Sequence, residues 1–394
     1  MRSCWCTVID ELRQMSDGLL EARLGDGEFA TLDSLAYAFG PPGISATIKQ
    51  EFEDFKVDEE LCFDCSGHGE HMYLRVRKQD LSTPDVARRL QALTRLPPTA
   101  IGYSGMKDRR GDCIQWFSVQ LPAKDESRIN ALEDTGLTVL ETRRNGRKLK
   151  IGSHKLNHFQ VRLRNCEGDA ASFTDRLSQI QRAGVPNYFG EQRFGWELSN
   201  LSQVQALMED LLGDSNASAR RREGDQQFKR GMLYSAARAY LFNQVLSRRV
   251  ATGSWNNYLS GDVPNLAGTD RCFSVAERAW DETLQRRLRE FDIHLTGPLA
   301  GMVDSKDKYI SKDKAADIEE AVLGEYPTLV SGLVRCGLMA SRRPLRFMPG
   351  QLQWEWESTA SLCLRFSLSR GCYATSLLRE ICRAGSREQL PRDH

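Results

Sequence analysis

The sequence predicts an α+β protein, a mixed α/β architecture in which strands and helices interleave without strict alternation. Three observations carry that expectation. Several segments alternate apolar and polar residues with period two, as half-buried strands of an antiparallel or mixed sheet do. Others place apolar residues at helical spacing behind cap residues. A strand-like segment, "LRFSLSRG", returns late, after a long helix-rich and loop-rich stretch.

The elements follow in chain order. "IKQEFEDFKVDE", 48–59, sets Ile48, Phe55 and Val57 among charges and reads as one strand presenting Lys49 and several carboxylates near an end. In "HMYLRVRK" Met72, Leu74 and Val76 face one way, and Tyr73, Arg75 and Arg77 the other. "STPDVARRLQAL" reads as a helix capped by Thr83, with Pro84 at its first position and Val86, Leu90 and Leu93 on one face. "GYSGMKDRRGDCIQWFSV", 102–119, is a glycine-rich turn running into a strand of Trp116, Phe117 and Val119. In "NHFQVRLR" Phe159, Val161 and Leu163 turn inward, while His158, Gln160, Arg162 and Arg164 turn outward as a basic ridge. "LYSAARAYLFNQVLSRRV", 233–250, is a long helix with basic residues at its end, where the helix dipole favours them. "SLCLRFSL" puts Leu362, Leu364, Phe366 and Leu368 on one face, and "ATSLLREICRAG" is a closing helix stopped by Gly385.

The polar break "GDSNASARRREGDQQ", 213–227, and the late strand together indicate an insertion inside one domain, not a tandem second domain. The expected organisation is an N-terminal extension over 1–35, a main domain of 36–224 plus 346–394, and an insert over 225–345.

Composition narrows the function. The 394 residues are 40% hydrophobic and 27% charged, ordinary for a globular protein. No apolar run approaches the roughly 20 residues of a membrane span, and "MRSCWCTVIDELRQ" has no apolar signal core. Eleven scattered cysteines fit reduced thiols, so a cytoplasmic protein is expected. Net charge is only +1, yet charge is segregated. Residues 141–164 hold eight Lys or Arg and one acid, and a second basic cluster at 220–230 is followed by Arg238, Arg248 and Arg249. Such segregation suits a polyanion; solvated edge strands would explain either cluster alone.

Candidate chemistry is sparse. Cys62, Cys65, His68 and His71 are zinc-ligand types, but they crowd into one turn, whereas structural sites join two ligand pairs across a long loop. No metal is expected. There is no G-x-S-x-G, no Walker loop, and no glycine-rich turn that opens a helix, which argues against a nucleotide cofactor or a methyltransferase. "PNYFGEQRFG", 186–195, interleaves Tyr188, Phe189 and Phe194 with Asn187, Gln192 and Arg193. Aromatic faces and amides suit an extruded nucleotide, and a buried aromatic turn fits the same composition. Asp108, ringed by Lys107, Arg109 and Arg110, reads by itself as a solvated turn residue.

Taken together, "IKQEFEDFKVDE", "GHGEHMYLRV", "GYSGMKDRRGDCIQWFSV", "RKLKIGSHKLNHFQVRLR", "GVPNYFGEQRFG", "SAARAYLFNQVLSRR", "GDVPNLAG" and "LSRGCYATSLLREI" resemble the TruD-type tRNA pseudouridine synthases, in that family's order from about residue 40 to 385. The resemblance implies a pseudouridine-synthase catalytic fold around a bent mixed or antiparallel sheet, with the insert as the family-specific TRUD domain. It implies isomerisation of a D-arm uridine, at tRNA position 13, with no cofactor and no metal. Asp108 falls on the family's catalytic aspartate and Lys49 on its basic partner. Asn187 and Phe189 fall on its active-site aromatic turn, and His71 on its "GEH" turn. Lys107 and Arg109 are candidates for charge, phosphate or supporting roles. Expected RNA contacts are Arg109, Arg110, Arg143, Arg144, Arg147, Lys148, Lys150 and Arg193, with the basic segment from Arg220 to Arg249 adding to them. Gly111 and Asp112 stand where relatives vary, and Asp112 is expected to point away along the strand. The partner is tRNA, with no membrane, and a monomer is the simplest state. The alternative is a non-catalytic tRNA-binding or tRNA-folding chaperone on the same scaffold.

Overall fold

The computed structural model describes Phe29 and residues 31–132, 136–195, 198–213, 225–275, 280–304 and 309–384. The start of the N-terminal extension, residues 214–224 of the polar break with their basic cluster, the stop assigned to Gly385 and the tail lie outside these residues. Among the described residues no helix is long and apolar enough to cross a membrane. The chain divides into two compact units, one of residues up to Gly40 with Val185–Phe347, the other of Pro41–Gly184 with the chain from Met348 onward. The interruption so defined begins at Val185, earlier than the 225 read from composition.

In the second unit β1 (Ser45–Ile48) and β2 (Phe55–Leu61) are separate strands, not the single strand expected over 48–59. Lys49 breaks the run by taking a left-handed φ of 59°. A 3-10 turn, Phe52–Asp54, follows it, closed by reciprocal bonds between Glu51 and Asp54. β3 (His71–Gln79), β4 (Ile101–Tyr103), β5 (Asp112–Gln120), β6 (Leu137–Asn145) and β7 (His154–Glu167) follow.

The helix Thr83–Thr94 starts one residue earlier than its sequence suggests, because Ser82 is the cap. Ser82 Oγ accepts from the Asp85 amide, and the Asp85 carboxylate accepts from the Ser82 amide, satisfying two donors that helix geometry leaves open. Thr83 thereby lies inside the first turn, buried. Val86, Ala87 and Leu90 of this helix pack on Met72, Leu74, Val76, Phe117 and Val119. Burying each such larger side chain contributes about 1.5–3 kcal/mol.

The first unit contains a small strand pair, β8 (Val185–Pro186) with β12 (Arg346–Phe347). It also has a three-stranded antiparallel sheet of β9 (Pro264–Leu266), β10 (Ile293–Leu299) and β11 (Ser341–Pro344), in a stretch that reads as helix and loop from its residues. These strands are short and carry Pro or Gly, which weakens their period-two signal. The long helix runs over Asp225–Ala251. Two of its arginines are consumed inside the protein. Arg249 is bidentate to Asp262 at 2.8 and 2.9 Å and also donates to Ser254 O, while Arg238 donates to Leu299 O, Met339 O and Ser341 Oγ. The expectation that Arg249 grips phosphate is thereby corrected, since it is 1% exposed and bonded to protein oxygens. Arg238 has Nη2 committed to three protein oxygens, while its Nε has no partner among the described residues.

Back in the second unit, β13 (Gly350–Ser358), β14 (Ser361–Ser369) and β15 (Arg383–Ala384) complete the main sheet. Its order is β13-β14-β7-β2-β5-β3-β6, with β1 and β4 joined at β7 and β5 and β15 joined at β1. β2 and β5 run parallel, and the other neighbours on that path are antiparallel. Register confirms the alternation read from sequence: Leu362 faces Leu163, Leu364 faces Val161 and Phe366 faces Phe159. The closing helix ends at Ile381, because Cys382 is already extended and leads into β15.

The outward arginines form no basic ridge. Arg75 pairs with Asp58, Arg77 with Asp112, Arg162 with Glu357, and both Arg162 and Arg164 reach Asp54. Carboxylates on neighbouring strands and turns neutralise each cation in place.

Candidate active site

The loop between β4 and β5 carries Asp108, and the turn after β1 carries Lys49. Their side chains form an ion pair, Lys49 Nζ to Asp108 Oδ2, with 21% and 23% of each exposed. Lys49 Nζ also lies 4.0 Å above the Phe55 ring, whose face attracts a cation. Lys49 thus combines a left-handed φ of 59° with a side chain that meets the loop.

The loop is fastened from beneath. Lys78 is fully buried, and its ammonium donates to Asp108 O at 2.7 Å and to Leu81 O at 2.6 Å. Thr83 Oγ1 accepts from the Lys107 amide and donates to Gln115 Oε1, both at 2.9 Å. Gln115 Nε2 donates to Gly105 O at 2.5 Å. At Gly111 a Cβ would lie 2.8 Å from Phe55 O, so the chain passes there only as glycine. Three anchors on so short a loop hold the carboxylate before any substrate arrives, which is what a positioned catalytic group requires.

Lys107 does not join Asp108. It pairs at 2.5 Å with Glu59, the two side chains being 7% and 0% exposed. Burial pushes the Glu59 carboxyl up, and Lys107 and the Trp116 amide offset part of that. Burial likewise lowers the Lys78 ammonium. His154, 2.8 Å from Ser104 Oγ, is pushed down to about 4 by burial and by nearby Lys107 and Arg370, so its ring is neutral. Asp112 lies on β5 in a bidentate pair with Arg77 at 2.7 and 2.6 Å.

Two hollows of about 610 and 370 Å³ open on the ion-paired side of the sheet, and Asp58 and His158 line both. Neither is lined by Asp108 or Lys49. Chemistry, not volume, marks the site. Cys62, Cys65, His68 and His71 form no metal-holding group among the described residues.

Asn187 and Phe189 belong to the other unit and form a cluster there. Asn187 Nδ2 donates to Pro344 O at 2.9 Å, and Arg343 Nη2 donates to Asn187 Oδ1 at 2.6 Å. Phe189 is 7% exposed, with Arg343 3.9 Å above its ring and Phe242 edge-on at 5.6 Å. Asn243 fixes the turn by exchanging two bonds with the Phe189 backbone. Arg193 lies farther from the same ring, at 5.6 Å.

The cations expected at RNA differ in how committed they are. Arg109 pairs with Asp80, Arg143 with Glu141, and Arg144 with Glu126 and Leu121 O. Lys148 donates to Thr99 O at 2.6 Å. The side chains of Arg110, Arg147 and Lys150 are exposed and have no ion-pair partner among the described residues.

Sequence reasoning missed Lys78 and Glu59. The signal was present: Lys78 continues the buried face of Met72, Leu74 and Val76, and Glu59 that of Phe55 and Val57. A charge in apolar register on a strand is a buried charge, and a buried charge needs a partner. Arg343 and Asn243 carried no such mark.

A family model described as tRNA pseudouridine synthase D (TruD) matches residues 31–210 and 201–381. The chain belongs to this family. Among curated relatives, the tRNA pseudouridine synthase D of Nitrosococcus oceani is 43% identical over 351 residues, covering 89% of this chain and 94% of that protein. That of Hydrogenovibrio crunogenus is 36% identical over 351 residues, covering 89% and 96%. A crystal structure titled as the putative tRNA pseudouridine synthase D (TruD) from Methanosarcina mazei superposes with a TM-score of 0.63. It covers 88% of this chain and 95% of that one at 21% identity, so it speaks to the fold alone. As a TruD member the chain is a pseudouridine synthase, an isomerase of tRNA processing.

Proposed function

We propose that this TruD protein isomerises uridine 13 in the D-arm of tRNA, in the cytoplasm and as a monomer, with Asp108 as the reacting carboxylate and no cofactor or metal. The observation that carries the reading is the Asp108 side chain itself: paired to Lys49, partly exposed, on a loop anchored by Lys78, Thr83 and Gln115. The reaction breaks the N1–C1′ bond, forms C5–C1′, moves the C5 proton off the base and protonates N1, so no atom is gained or lost. It needs an ionised carboxylate beside C1′ and C6, acting either by covalent addition or by taking a ribose proton. Lys49 holds one oxygen of that carboxylate, Oδ2, in an ion pair.

Phe189 supports an aromatic role at the flipped base, and Arg343 then shares its ring face with the substrate. Asn187 acts by holding the turn, since both ends of its amide are bonded to protein. Lys107 acts through Glu59. Arg110, Arg147 and Lys150 are the cations ready for phosphate; Arg109, Arg143, Arg144, Lys148 and Arg193 supplement them by exchanging or extending existing contacts.

Mapping pseudouridine in tRNA treated with wild-type protein and with Asp108→Asn tests the reading. Product at position 13 with the wild type, and none with the variant at equal tRNA binding, is the expected result. Product from Asp108→Asn sinks the aspartate mechanism, and product elsewhere sinks the site.

A further inference from the structure

Lys78 is an unusual residue for its place. It sits on the helix-covered face of β3, fully buried, where its strand neighbours on that face are Met72, Leu74 and Val76. Among the described residues no carboxylate lies within ion-pair distance of it, and its ammonium is bonded to two backbone carbonyls, those of Leu81 and Asp108. A buried ammonium is costly unless paired, and replacing such a group by a hydrophobe of similar length is often neutral or stabilising. Packing alone would be served by methionine. What methionine cannot do is hold the Asp108 carbonyl with a charge-assisted hydrogen bond, which is about twice as strong as a neutral one.

We infer that Lys78 is a positioning residue for the reaction, fixing the Asp108 backbone so that its carboxylate meets both Lys49 and the substrate sugar. This rests on the reading of Asp108 as the reacting group. The ammonium holds the loop from the buried side at Asp108 O, and Lys49 holds the same residue from the exposed side at Oδ2. Two cations on one residue, one on its main chain and one on its side chain, leave little torsional freedom between them. Cys113 Sγ, 3.8 Å from the same carbonyl, is too weak a donor to substitute.

The test is steady-state turnover of unmodified tRNA by the full chain carrying Lys78→Met, Lys78→Gln or Asp108→Asn, with tRNA Kd and Tm measured for each. For Lys78→Met the expected result is a kcat about tenfold to a hundredfold lower, as for a displaced catalytic group. Its tRNA Kd should stay within about twofold and its Tm should not fall enough to unfold it at the assay temperature. Lys78→Gln, which keeps a neutral donor, should lie between; it also serves as the variant read if Lys78→Met does not fold. Wild-type kcat in a folded Lys78→Met or Lys78→Gln overturns the inference. So does a loss of kcat and Kd together in step with Tm, which would make Lys78 a structural strut. Full turnover by Asp108→Asn overturns the reading beneath it, and the inference with it. An inactive Asp108→Asn beside a fully active Lys78→Met overturns the inference alone.

Discussion

Lys107→Met isolates the energetics beneath the loop. It removes the ammonium 2.5 Å from Glu59 while leaving most of the side-chain volume in place. Glu59 is then a carboxylate with no exposed surface and one remaining amide donor, that of Trp116. Breaking a buried pair from one side costs about 3–5 kcal/mol, because the stranded charge loses its compensation. The sign of the pH dependence follows from Glu59. Burial already raises its folded value above the ordinary 4.5, and losing Lys107 raises it further. Stability from such a group is fully present below its unfolded value and is lost as pH rises through the folded one. The gap between wild type and Lys107→Met should therefore be smaller at pH 5 than at pH 8. Urea unfolding followed by circular dichroism at both values reads it, and Glu59→Gln added to Lys107→Met should recover most of the loss. A gap that is the same at both pH values, or under about 1 kcal/mol as for an exposed pair, refutes the reasoning.

Other outcomes follow from the same geometry. Arg147→Ala and Lys150→Ala should each weaken tRNA binding and lower the slope of log Kd against log salt by about 1, as loss of one phosphate contact does; filter binding across a salt series checks this, and unchanged slopes move the tRNA face elsewhere. Phe189→Ala should cost about 3–5 kcal/mol, since the ring is buried between Arg343 and Phe242; a Tm within error of wild type contradicts that packing. His154 is neutral when folded, with its value down at about 4 against an ordinary 6.5. Its contribution is present above pH 6.5 and lost as pH falls through about 4, so His154→Gln should flatten stability over that window. A slope unchanged by the substitution assigns the acid sensitivity to other groups.

Much of the main sheet was legible in the residues. Period-two alternation located β3, β7 and β14 and the side each presents to the core, because a half-buried strand can only be satisfied by that pattern. The candidate site was legible as a loop and a partner, Asp108 and Lys49, which the fold joins in an ion pair. The break at Lys49 was not, because a left-handed φ in a lysine has no compositional sign. Nor was the small sheet β9-β10-β11, whose outer strands have three and four residues and whose middle strand is broken in pattern by Gly297 and Pro298.

Electrostatics marks the division most clearly. Sequence gives the number of arginines between Arg143 and Arg164, but only the folded chain brings Glu357 and Asp54 to Arg162, or Glu126 to Arg144. These partners are distant along the chain, so no local pattern encodes them. The sequence by itself determined a mixed sheet, a helix upon it, and the family to which the chain belongs. Tertiary structure decided which cations are already spent, that Lys107 serves Glu59, and that Lys78 reaches Asp108 from below. Alternation and capping act within a few residues, whereas a buried charge finds its partner across strands, at a distance set only when the sheet closes.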